Sequence, residues 1–101
     1  MSLVLTPSGQ WEREFAFERG FSDDLRTWVS ESIEGGPLGA EDVRTIANVV
    51  CESAQVARES WSHADRLRVQ LIGYVNAVEI RLVPMGDDTL AHQAEWFVYR
   101  P

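Results

Sequence analysis

Residues 40–82 read AEDVRTIANVVCESAQVARESWSHADRLRVQLIGYVNAVEIRL, and this stretch decides the fold class. Val43, Ile46, Ala47, Val50, Ala54, Ala57 and Trp61 recur at helical spacing. Glu41 and Asp42 place negative charge where the dipole of a helix starting near Ala40 favours it. A long helix ending near Ser60 is predicted. Leu67, Val69 and Leu71 then alternate with Arg68 and Gln70, and Val78, Ile80 and Leu82 with Glu79 and Arg81, the period of strands with one apolar face. The link Tyr74-Val75-Asn76-Ala77 is short, so the two runs are expected to form an antiparallel hairpin.

Working outward, Pro7-Ser8-Gly9 is turn chemistry, and residues 1–10 read as a lead-in to a single domain over 11–101. Residues 11–18 alternate, with Trp11, Phe15 and Phe17 on one face and Glu12, Glu14 and Glu18 on the other, which predicts a half-buried strand. Ser22 is a candidate helix cap, Asp23 and Asp24 suit a first turn, and Leu25, Trp28, Val29 and Ile33 form a stripe. Gly35-Gly36-Pro37 ends that helix, predicted over 23–34. Met85-Gly86-Asp87-Asp88 reads as a turn, and residues 95–100 are rich in strand formers. The expected architecture is α+β: a two-layer sandwich in the order β-α-α-β-β-β, with a four-stranded, mainly antiparallel sheet and both helices on one face.

Composition bounds the function. A chain of 101 residues, 45% hydrophobic, supplies one core and not two. No apolar run approaches the roughly 20 residues that cross a bilayer, and no basic-then-apolar leader opens the chain, so no membrane partner and a cytoplasmic location are expected. Cys51 is the sole cysteine and cannot form an internal disulfide. All 9 basic residues are Arg, against 16 acidic residues and a net charge of −7. The Arg-only basic set is in keeping with a high-GC bacterial genome. No basic cluster is present to displace counterions from a phosphate backbone, so nucleic acid is not an expected partner.

The order and spacing of these segments resemble the ATP-binding domain of the anti-sigma-factor serine kinases, within the histidine-kinase/Hsp90-like ATPase superfamily. The resemblance is carried by Arg26-Thr27-Trp28-Val29 in the first helix and by Cys51-Glu52-Ser53-Ala54-Gln55-Val56-Ala57, where the family has a Ser-Glu-Leu-Val-Thr-Asn-Ala type of motif. The hairpin segments 65–69 and 77–82 continue it. It covers residues 11–86, with residues 96–100 similar to the family's closing strand. It implies a regulatory role and places Glu52 where the family's carboxylate activates a nucleophile.

The departures from that pattern bear on catalysis. The family's magnesium-holding Asn is replaced by Val56, whose side chain has no lone pair for a hard cation. Its adenine-binding Asp-x-Gly aligns with Pro84-Met85-Gly86, and too few residues separate Gly86 from the last strand for the phosphate-wrapping lid. A general base without metal or phosphate cradle does not run phosphoryl transfer. The expectation is therefore no catalytic residue, no cofactor and no metal, with Glu52 as a relic of an active site.

Other candidates carry blander readings. Cys51 lies beside the apolar stripe and is expected to be a small buried or boundary residue. His63, Asp65 and His92 have no zinc-site spacing, and Asp87-Asp88 lacks the further oxygen ligands of a calcium loop. Trp96, Phe97, Val98 and Tyr99 are apolar or aromatic on both faces of one strand, and Ile72 and Val83 fall on the side of the hairpin away from the core. These six residues form the candidate interface, to a protein partner or a second copy of the chain. The leading reading is a non-catalytic protein-interaction module with a truncated kinase-like fold. The alternatives are an unrelated α+β structural or oligomerisation domain, an ATP-binding anti-sigma serine kinase with altered motifs, and a small-molecule pocket between helices and sheet.

Overall fold

The computed structural model describes residues 9–60, 64–86 and 94–101. Its elements are β1 (Gly9–Ala16), α1 (Phe21–Ile33), α2 (Ala40–Ser60), β2 (Arg66–Gly73), β3 (Val78–Met85) and β4 (Glu95–Tyr99). The strands form one open antiparallel sheet in the order β1-β2-β3-β4, the expected α+β layout.

Alternation sets the two faces of the sheet. Leu67, Val69, Leu71, Val78, Ile80 and Leu82 are each no more than 1% exposed. They join Leu25, Val29 and Ile33 of α1 and Val43, Ile46, Val50, Cys51, Ala54 and Ala57 of α2 in one core, so both helices cover the same face. Helix α1 lies over β1, where the Trp28 ring meets Phe15 edge-on at 5.6 Å. Helix α2 reaches the other edge of the sheet, where the Tyr99 hydroxyl donates to Asp42 at 3.1 Å.

Several boundaries differ from the sequence expectation. Helix α1 starts at Phe21, and its N-cap is Gly20 at φ 88° with no side-chain cap, so Ser22 is not the cap. The cause is Phe21, a core residue whose ring meets Phe17 at 5.2 Å. Holding Phe21 there requires the left-handed turn that glycine supplies at position 20. Ser22 instead accepts a hydrogen bond from the Gln55 side chain. Strand β1 is shifted towards the N-terminus: Gly9 and Gln10 pair with Gly73 and Ile72, while the Phe17 N–H already donates to the Asp65 carbonyl. Met85 pairs with Arg66 at the end of β3 rather than opening a turn. Residues 1–8 of the expected lead-in, Trp61 of the helix stripe, and Asp87 and Asp88 lie outside the described residues.

Candidate protein-interaction surface

The register of β4 on β3 assigns each residue of the last strand to a face. Phe97 sits opposite Ile80 and Tyr99 opposite Val78, so both point to the helix layer, where they pack against the core. Trp96 sits opposite Arg81 and Val98 opposite Glu79, so both lie on the face turned away from α1 and α2. The six candidate residues therefore divide. Phe97 and Tyr99 belong to the core side, while Trp96, Val98, Ile72 and Val83 share the outer face.

Polar groups organise that face. Glu79 accepts hydrogen bonds from the Trp96 indole N–H and, at 3.1 Å, from the Tyr74 hydroxyl. Arg81 lies 3.5 Å from the same carboxylate, whose side chain is only 15% exposed. Desolvation, then the bond to Glu79, raises the pKa of the Tyr74 phenol above its ordinary value. The indole is thus held flat-edged by a carboxylate at one end while its apolar body stays 58% exposed. Towards β1 the face is ionic: Glu14 receives Arg68 at 2.9 Å and Arg66 at 3.4 Å, and Gln70 donates to Glu12. Ile72 and Val83 are half-buried among these groups.

Among the described residues, four large apolar side chains are exposed: Val56, Val75, Trp96 and, least of the four, Val98. Three of them lie on or beside β4, because Val56 of α2 shares a shallow dent with Glu52, Ser53 and Glu95. Glu52 is exposed at that dent and faces no described cation there; the lining holds a second carboxylate, Glu95. Cys51, next to it, turns inward, is 1% exposed, and its thiol contacts the Ser22 carbonyl at 3.4 Å. Burial pushes the Cys51 pKa up, only partly offset by Arg26.

A separate cleft of 210 Å³ opens between the α1–α2 loop and the β2–β3 hairpin, lined by Trp11, Ile33, Leu38, Tyr74 and Val78. Its walls are mainly apolar, and the hydroxyls there are already engaged: Ser32 donates to the Trp28 carbonyl and Tyr74 to Glu79. Among the described residues no three His, Cys, Asp or Glu side chains are grouped to hold a metal ion. His63 and His92 lie outside the described residues, and Asp65 is an exposed loop residue facing Arg66. Among the described residues no helix is long and apolar enough to cross a membrane.

The division of β4 into an inward and an outward pair was not readable from its sequence, because all four residues suit either face. The role of Glu79 was missed as well, since it depends on bringing Tyr74, Arg81 and Trp96 together through the register. No protein-family model, curated protein or solved structure matches this chain.

Proposed function

We propose that this domain is a non-catalytic protein-interaction module that acts in regulation by binding a partner protein or a second copy of itself. The observation that carries the reading is the gathering of Val56, Trp96 and Val98 at one edge of the molecule, two on the outer face of the sheet and one on the helix side. Exposed aromatic and aliphatic groups in one place favour contact with another protein, and an indole fixed by a hydrogen bond loses little side-chain entropy on binding. The resemblance to kinase-like anti-sigma domains supplies the regulatory setting, of anti-sigma or signalling type.

The same reading makes the dent at Glu52 a relic and not a nucleotide site. Glu52 and Glu95 would meet a polyphosphate with like charge, and Val56 offers magnesium no ligand. Calorimetric titration with ATP and magnesium is expected to show no saturable heat. Immobilised protein is expected to retain a binding partner, or itself, in a manner lost on Trp96→Ser and kept on Glu52→Gln. Saturable micromolar nucleotide binding, or retention indifferent to Trp96→Ser, would defeat the reading.

A further inference from the structure

We infer that the partner at this surface is a second copy of the chain, joined by antiparallel pairing of β4 with β4 about a two-fold axis; the inference rests on the interaction-module reading. An open sheet has two edges whose backbone groups invite another strand. The edges of this sheet differ. Strand β1 carries Glu12, Arg13 and Glu14 in succession, and Arg13, on the same face as Trp11 and Phe15, holds its guanidinium 4.9 Å over the Phe15 ring. A charged side chain on the core-facing side of an edge strand opposes edge-to-edge association. Strand β4 has no charge between Glu95 and Arg100, and no described strand lies on its far side.

The sequence of β4 is complementary to itself. Opposite residues in a sheet share a face, so a two-fold pairing must match residues of equal parity. The pairing centred on Val98 sets Val98 against Val98, Phe97 against Tyr99 and Trp96 against Arg100. Two exposed valines then cover each other, the core-side aromatics continue across the junction, and each exposed indole receives a guanidinium from the other chain. Glu95 falls opposite Pro101, so the pairing opposes no charged side chains of like sign although each chain carries −7. Val56, beside Glu95, would meet the incoming chain on the helix side. The product is one continuous eight-stranded sheet with all helices on one face, a strand-addition mode of recognition.

The test uses the full chain. Sedimentation of the wild type over a wide concentration range is expected to give the mass of two chains, and Trp96→Lys, which sets like charges opposite each other, the mass of one. The double change Trp96→Lys with Arg100→Glu is expected to restore the dimer, because positions 96 and 100 meet only between chains. Val98→Cys is expected to oxidise to a covalent dimer, and Val83→Cys, on the same face but one strand inward, is not. The cysteine pair keeps the test decisive should Trp96→Lys unfold. A wild type that stays monomeric, a folded double variant that fails to recover, or cross-linking at Val83 as readily as at Val98 would overturn the inference. Partner retention sensitive to Trp96→Ser in a monomeric wild type would leave the broader module reading standing while sinking this one.

Discussion

The hydroxyl of Tyr99 donates to the carboxylate of Asp42 at 3.1 Å, tying the last strand of the sheet to the first turn of α2. Desolvation, then this bond, raises the Tyr99 pKa above its ordinary value. A phenol with a raised folded-state pKa contributes stability that is full below its unfolded pKa and lost as pH rises through the folded one. Tyr99→Phe is therefore expected to lower the melting temperature modestly near neutrality and to flatten its decline above about pH 10. Thermal scans of both proteins across the alkaline range check this.

Cys51 adds to the alkaline limb at lower pH. Its buried thiol must lose a proton as the solution passes its raised pKa, so the sign matches that of Tyr99: stability falls with rising pH. Wild-type stability is expected to begin falling above about pH 8.5, and Cys51→Ala to delay that fall. Thiol-reactive probes are expected to label Cys51 only on unfolding, since it is 1% exposed. Rapid labelling of the native protein would contradict this placement.

Phe97 and Trp96 are neighbours with opposite duties. Phe97→Ser removes a ring packed on the core and is expected to cost about 1–3 kcal/mol in urea unfolding. Trp96→Ser is expected to reduce association and, at concentrations too low for association, to leave the unfolding midpoint nearly unchanged. A reversal of these two outcomes would mean that β4 is shifted by one residue.

Ile46 is fully buried in the centre of α2. Ile46→Asp places a carboxylate with no counter-charge in the core, at several kcal/mol against a total stability of about 5–15 kcal/mol. The variant is expected to be unfolded by circular dichroism at neutral pH.

Gly20 adopts φ 88°, and apart from its own chain neighbours no atom lies within 4 Å of where a Cβ would stand. Gly20→Ala is expected to cost about 1 kcal/mol from backbone strain alone, without a packing clash. A denaturation midpoint equal to wild type would show that the chain re-routes at the helix start.

What the sequence disclosed followed from periodicity. The alternation at Leu67, Val69 and Leu71 and at Val78, Ile80 and Leu82 named the buried face of the two central strands residue for residue. The stripe through Val43, Ile46 and Val50 did the same for α2, since half-buried elements repeat with the period of their backbone. Legibility stopped where that contrast vanished. Trp96 to Tyr99 carry apolar groups at every position, so only pairing with β3 sorts them. The start of α1 was misjudged because Ser22 is a good cap in isolation, while the location of Phe21 depends on Phe17 and the core beneath it. Glu79 looked like any outward strand glutamate, because its partners Tyr74, Arg81 and Trp96 converge only in the folded sheet.

Because strand order follows chain order, β2, β3 and β4 form a meander, whereas β1 reaches β2 only across a connection of about fifty residues containing both helices. Closing so long a loop is entropically slow, and contacts distant in sequence are made late. The kinetic seam of this molecule is thus expected between β1 and β2: the meander with α2 above it can assemble first, and β1 is expected to arrive last. Mutations in Trp11 or Phe15 should then quicken unfolding far more than they slow folding.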